Sequence, residues 1–322
     1  LDWTTAGVDE NAGGAGGDLA DVVELAAGIG RHAVRLPVWQ TGIAAWALAE
    51  CGLSPELTLE GAVVVRTAVT ATERDGRRVI SCAAAGIPWL SAVPTAVVVG
   101  DDGTVDVIDL VDATLSPRQA TFADEPIADL VVARVAPGAS GRGAPDLAVA
   151  LATRELICRA AAMAGAVERV CALTLEHVQT RQQFGKPLMA LQSVAHVIAD
   201  MIVERDRLNG AVQELILRPE REMAAVAVAT ACLAASVVSA GAHQLHGAIG
   251  ITEEHVLHQF TKRLCAWRDA EPSARALELE LGGRVLAGAD DSALWALVTS
   301  SQLSTPPSRR EVSAARYERT TP

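Results

Sequence analysis

Aromatic side chains make up only 3% of the 322 residues: one Tyr, three Phe and six Trp. The core must therefore be filled mainly by Ala, Val, Leu and Ile, whose compact side chains suit close helix packing. Basic residues are also scarce. Lys and Arg number 27 against 39 Asp and Glu, giving a net charge of −12 and a pI near 5.1, which argues against a nucleic-acid or anionic-membrane surface as the main partner. Cys51, Cys82, Cys158, Cys171, Cys232 and Cys265 are scattered, with no CxxC pair. Neither a disulfide framework nor a zinc site is expected, and they read as buried thiols of a cytoplasmic protein. His243, His246, His255 and His258 fall close together but lack a consistent ligand spacing, so no metal site is expected there either. No window offers the ~20 uninterrupted apolar residues of a membrane span. The longest candidate, Met223 to Ala240, is mostly Ala and Val, follows Arg218, Glu220 and Arg221, and reads as a buried bundle helix. No signal-peptide pattern opens the chain. Its first residue is Leu1 rather than Met, so a preceding stretch is expected.

What the chain has is apolar material. Half the residues are hydrophobic and 20% are charged, which excludes general disorder and allows a sizeable core. The length favours two or three subdomains. Residues 1–54 combine a Gly-rich opening with short helical patterns, one of them starting at Asp18, a good N-cap. Residues 55–140 shift towards period two and read as a small β-domain. There, Ala62 to Val69 and Arg78 to Ala84 are expected to form strands joined across Asp75-Gly76, and Thr95 to Val99 and Val105 to Leu110 to flank Asp101-Asp102-Gly103.

Residues 141–305 are helical in period. Leu156, Ala160, Met163, Val167, Cys171 and Val178 mark one face of a long helix. Further helices are expected from Leu191 past Leu208, over Met223 to Gln244, and over Glu253 to Ala266. Four long helices with short links make a bundle. Residues 306–322, with Arg309, Arg310, Arg316 and Arg319 among Ser, Thr and Pro, read as a loosely ordered tail.

Two segments carry the chemistry. The first is Arg181-Gln182-Gln183-Phe184-Gly185-Lys186-Pro187, followed by Gln192, at the junction of two helices. Arg181 can offer a two-pronged donor to a phosphate and Phe184 a flat ring to a base; alternatively, Arg181 caps the carbonyls of the preceding helix. The second is Gln244-Leu245-His246-Gly247-Ala248-Ile249-Gly250-Ile251-Thr252-Glu253-Glu254-His255. Gly247, Ala248 and Gly250 let a backbone approach a ligand, and Gln244 adds a two-way hydrogen bonder. The same run also fits a Gly-rich break between helices, with Thr252 as N-cap of the next.

Together the two segments, in this order, resemble the acyl-CoA dehydrogenase family. The resemblance covers most of the chain and implies a mainly α fold with a small β-domain: an N-terminal helical part, shortened here by several helices, a middle β-barrel-like domain and a C-terminal four-helix bundle. In the family an FAD lies across a subunit interface, and these two segments of one subunit hold the ADP half of the flavin bound to its neighbour. Carried over, Arg181 resembles the pyrophosphate-binding Arg. Gln183, Phe184, Leu188 and Gln192 would line the adenosine side. Gln244, Leu245, His246, Gly247 and Ala248 would pass along the adenine and phosphates, with Ala248 in place of the usual second Gly.

The departures are equally specific. The family's β-domain opens with a segment like TEPxxGSD that grips the flavin ring; here Leu57 to Thr70 reads LTLEGAVVVRTAVT. Trp89-Leu90-Ser91 only faintly resembles the family's Trp-x-Thr, and Trp89 reads as core. The α-proton of a thioester must be taken by a carboxylate, and the two family positions for it fall on Glu155 and Glu271. Glu155, however, sits in an Arg-Glu pair near a helix start, and Glu271 lacks the Gly-Thr that follows the family base, so the base is expected on a partner.

The resemblance therefore implies the degenerate subunit of a heteromeric, α2β2 acyl-CoA dehydrogenase. It would require FAD, an unlike subunit, an acyl-CoA substrate such as a steroid side chain, and an electron-transfer flavoprotein as acceptor. Two alternatives stand beside it: a self-sufficient homomeric flavoenzyme using Glu155 or Glu271, and a non-catalytic bundle protein without cofactor.

Overall fold

The side chain of Asp18 accepts hydrogen bonds from the backbone N–H groups of Ala20 and Asp21, and Asp21 accepts one from Asp18 in return. This reciprocal capping box starts helix α1 (Leu19–Arg31), close to the expected position. Helix α2 (Val38–Ala49) follows and buries Ile43, Ala44, Ala45, Ala47 and Leu48. The computed structural model describes residues 2–74 and 76–287. Residues Leu1–Ala274 group as one compact unit; a second unit begins at Arg275, and its described part is most of helix α7 (Ala274–Ala287). The expected tail, residues 306–322, and Asp75 lie outside the described residues.

Eight short strands come next: β1 (Ala62–Arg66), β2 (Thr70–Arg74), β3 (Arg77–Pro88), β4 (Thr95–Val99), β5 (Thr104–Asp109), β6 (Thr114–Pro117), β7 (Ile127–Val135) and β8 (Ala139–Arg142). They form two four-stranded sheets, ordered β1-β4-β5-β8 and β2-β3-β7-β6. One apolar cluster, including Val63, Val65, Ile80, Trp89, Val98, Ile108 and Leu130, draws residues from both. Trp89 is therefore core, as expected.

The hairpin around Asp101-Asp102-Gly103 is present as β4–β5. The Asp102 carboxylate accepts from the Thr104 N–H and hydroxyl, and Gly103 takes a left-handed φ of 78°. The other expected pairing is wrong. The strand that meets β3 is β2, whereas β1 leaves this sheet and runs parallel to β4. The residues of β1 face inward, with Ala62, Val63 and Val65 buried, and burying them takes precedence over pairing with the nearer strand in sequence.

The helical part contains α3 (Leu147–Thr180), a two-residue hairpin β9 (Gln182–Gln183) and β10 (Lys186–Pro187), then α4 (Gln192–Leu217), α5 (Arg221–His246) and α6 (Leu257–Arg268). Helices α3, α4, α5 and α6 pack as a bundle, and α1 lies along α3. By length and composition α5 could cross a membrane, yet it packs against α3, α4 and α6 and buries Ala224, Ala225, Ala227, Val228, Ala231 and Val238. Helix α6 begins four residues later than expected. Thr252 does not cap it; its hydroxyl donates back to the Ile249 carbonyl at 3.0 Å, which ends the preceding 3₁₀ turn instead. All six cysteines are free, four buried and two, Cys51 and Cys265, half-buried.

Candidate functional site

The candidate functional side chains gather at the two ends of α3. At its C-terminal end the chain leaves the helix at Arg181, whose N–H still donates to the His177 carbonyl at 2.9 Å, and the Leu188 N–H closes the hairpin onto the Arg181 carbonyl at 2.9 Å. The turn itself is Phe184-Gly185, with φ of 54° and 74°. Two left-handed residues in sequence suit a two-residue hairpin, but they are costly for a Phe, and such strain concentrates at functional positions. Phe184 is 86% exposed at this tip. The Arg181 side chain is exposed too and does not cap α3: its guanidinium has no hydrogen-bond or ion-pair partner among the described residues. Gln183 and Gln192 are exposed beside it, and Leu188 is half-buried.

The second segment reaches the same end. Helix α5 stops at His246 because Gly247 adopts φ 63°, ψ −144°, a conformation available essentially to glycine alone. Apart from its chain neighbours, nothing lies within 4 Å of where a Gly247 Cβ would stand. Gln244 and Ala248 are exposed and Leu245 is half-buried. Gly250, expected to admit a ligand, is buried instead: a Cβ there would sit 2.8 Å from the His246 Cβ. Its small size serves packing.

Between the segments the rings of His177 and His246 stack, with centroids 4.3 Å apart and planes 20° from parallel, and His255 closes against His246 at 4.8 Å. Burial pushes the His246 pKa down to about 4, and burial also lowers that of His177. Among the described residues no cluster of His, Cys, Asp and Glu could hold a metal ion.

At the other end of α3 a cavity of about 280 Å3 lies among α2, β1, the end of β3, α3 and the segment after α6. Both predicted carboxylates line it. Glu155 accepts from the Arg66 guanidinium at 2.7 Å; burial raises its pKa and Arg66 opposes the rise. Glu271 is exposed and accepts from the Ser273 N–H at 2.9 Å.

Two further charged residues of the cavity escape a reading of the sequence. Arg159 is buried, with Nε donating to the Trp267 carbonyl at 2.6 Å and its terminal nitrogens to the carbonyls of Pro272 at 2.9 Å and Arg268 at 3.2 Å. One guanidinium thus caps α6 and fixes the turn that carries Glu271. A lone Arg inside the run Ile157-Cys158-Arg159-Ala160-Ala161-Ala162 was the available signal. Glu125 is 7% exposed and accepts from the Trp267 indole N–H at 3.1 Å. Burial raises its pKa, against the pull of that bond and of Arg263. No local pattern marked it.

With this geometry in view, the comparisons with known proteins are specific. Residues 142–268 match the acyl-CoA dehydrogenase C-terminal domain. Over 84% of its length the chain is 31% identical to acyl-CoA dehydrogenase IpdE2 of Mycobacterium tuberculosis, covering 77% of that protein. It is 30% identical to IpdE2 of Mycolicibacterium smegmatis over 80% of its length, covering 76% of that protein. The chain belongs to the acyl-CoA dehydrogenase family. Solved structures agree on the fold. A steroid ACAD, Tcur3481-Tcur3483, aligns with TM-score 0.77 at 24% identity over 89% of this chain and 86% of that one. The ChsE4-ChsE5 complex of M. tuberculosis aligns with TM-score 0.75 at 22% identity over 89% and 85%.

Proposed function

We propose that this chain is one subunit of a heteromeric acyl-CoA dehydrogenase, and that it holds the ADP half of an FAD whose flavin ring lies in an unlike partner. The observation that carries this reading is the distance between its own two sites. Arg181 follows Glu155 by 26 positions along α3, which at 1.5 Å per residue is ~39 Å. The clamp at one end and the carboxylates at the other cannot serve the same flavin, so the clamp serves a nucleotide held by another subunit. A second copy would satisfy this too; what favours an unlike partner is that residues 57–70, LTLEGAVVVRTAVT, carry no segment to grip the flavin ring.

The donor set supports the same assignment. Arg181 offers an unpartnered planar fork suited to a diphosphate, Phe184 an uncovered ring, and the Gly247 turn an open stretch of backbone. The chain's own cavity fits the flavin ring poorly. The cavity, of about 280 Å3, is crossed by the Arg66–Glu155 ion pair. The region that should grip the ring includes β1, where Ala62, Val63 and Val65 are buried in the core and Arg66 is tied to Glu155. The partner then provides the ring site, the acyl-CoA pocket and the base.

When bound, FAD supplies the two-electron oxidant that takes the β-hydrogen as hydride while a carboxylate removes the α-proton, leaving an α,β-unsaturated thioester. Electrons then pass to an electron-transfer flavoprotein. This chain's part is to bind the diphosphate and orient the nucleotide across the interface. Two structural relatives named as pairs, ChsE4-ChsE5 and Tcur3481-Tcur3483, the latter described as a steroid ACAD, favour an unlike partner and a steroid-derived acyl group.

Purification of the chain alone and with its partner tests the reading. Flavin bound only in the pair is the expected result. Stoichiometric flavin on the chain alone would establish the homomeric enzyme, and flavin in neither preparation a scaffold without cofactor.

A further inference from the structure

We propose that the stacked rings of His177 and His246, with His255 tilted against them, position the two nucleotide-clamp segments against each other, and that they do so only while the His177 and His246 rings are neutral. The inference rests on the clamp reading above and adds to it a positioning element and a condition on its charge.

The stack sits where the segments meet. His177 is in the last turn of α3, four residues before Arg181; His246 is the last residue of α5, directly before the Gly247 turn; His255 lies in the segment that leads into α6. The His177–His246 ring contact therefore joins the root of the Phe184 hairpin to the root of the Gly247 turn. Its hydrogen bonding fits a neutral ring. Nδ1 of His246 donates to the Ala242 carbonyl at 2.8 Å, which uses the ring's one proton, and Nε2 is buried without a partner. A second proton would enter a place with no acceptor.

The neighbours make that proton worse. The groups facing His246 are His177 from α3, with Arg181 facing His177 in turn, His243 from α5 itself, and His255 from the segment before α6. Helix α6 reaches this cluster through Thr261, which pairs with His243 Nε2 at 2.9 Å, and the 3₁₀ turn after α5 contributes Gly250, packed on His246. His255 Nδ1 is occupied as an acceptor from the Leu257 N–H at 3.1 Å. Neither His177 nor His246, nor the tilted His255, forms an ion pair with a carboxylate among the described residues. Burial accordingly lowers the His246 pKa from the ordinary 6.5 to about 4. A base whose folded pKa is lowered stabilises the native arrangement fully above its ordinary range, and this contribution is lost as pH falls from about 6.5 towards 4. Charge on His177 and His246 would push the hairpin and the turn apart and release the backbone that carries Arg181.

The test uses the co-purified complex. Flavin release, read by its fluorescence, and amide hydrogen exchange across residues 181–192 and 244–252, corrected for the intrinsic pH dependence, are followed from pH 7.5 to 4.5. Wild type is expected to release flavin and to loosen both segments together as pH falls. His177→Phe keeps a ring in the stack but cannot take a proton, and His246→Asn keeps the donor to Ala242; either should lower the midpoint by about one pH unit, a tenfold change in proton concentration. An unchanged midpoint in a folded variant would overturn the proposal. Should neither variant fold, the wild-type exchange decides: segments that stay protected, or loosen at different pH values, sink it. Arg181→Ala separates this from the clamp reading. If that variant keeps its flavin, the clamp reading fails, whereas joint loosening of the two segments at acid pH would still support the stack.

Discussion

Gly30 of α1 and Gly165 of α3 lie against each other's helix: a Cβ on Gly30 would overlap the Ala162 carbonyl, and a Cβ on Gly165 the Ala27 carbonyl. The absence of both side chains lets the two backbones touch, which is how a chain poor in aromatics fixes its N-terminal helix without a large knob. Overpacking such a site costs about 1–3 kcal/mol. Gly165→Ala and Gly30→Ala should each lower the thermal midpoint by several degrees, and an unchanged denaturation curve would refute the crossing.

Arg181 should govern flavin content. Charge-assisted bonds to a diphosphate contribute about 1.5–3 kcal/mol each, so Arg181→Ala in the co-expressed complex should weaken FAD binding about tenfold or more. The preparation should be pale and recover with excess FAD, and Arg181→Lys should recover only partly because an ammonium lacks the fork. Full flavin occupancy in Arg181→Ala, measured by absorbance relative to protein, excludes the clamp.

Glu155→Gln and Glu271→Gln should leave turnover of the complex within a few-fold of wild type. Loss of a true general base costs about 10²–10⁴-fold. A collapse of that size with flavin intact would move the base onto this chain.

How the sequence reads at these places follows from the range of each interaction. Helix α4 is legible because one buried face repeats along it, α3 and α5 because their long apolar runs carry helical spacing even though α3 is buried all round from Leu156 to Val167, and the β4–β5 hairpin because its turn residues are local. The parallel pairing of β1 with β4 leaves no turn to read. The hairpin of Arg181 and the turn of Gly247 could be recognised as motifs, yet their meeting through His177 and His246 depends on how α3 and α5 align. Glu125 was invisible because its partner, Trp267, is 142 residues away.

The outer side of α5 carries Val226, Leu233 and Ala240, exposed and seven residues apart, leading to Gln244. A stripe at this spacing is suited to another helix. Expressed alone, the chain should self-associate or aggregate, and its partner should rescue it. A monodisperse, flavin-free monomer by light scattering would count against an obligate pair.

Glu125 supplies a prediction in pH. Its folded pKa is raised by burial, so the folded state holds a proton more tightly than the unfolded chain, and stability falls as pH rises above the ordinary carboxylate range. Glu125→Gln keeps an acceptor for the Trp267 indole and removes the charge. It should match or exceed wild-type stability at pH 7, with the advantage vanishing near pH 4. Equal differences at both pH values would show that the carboxyl is not strained by its surroundings.

Helix α3 runs unbroken for 34 residues, ~51 Å at helical rise, and substitutions separated by more than about 7–10 Å with no shared partner act additively. The two ends of this rod are thus mutationally independent. Changes around Glu155 leave the nucleotide recognition proposed for Arg181 undisturbed, and each change is exposed to selection by itself.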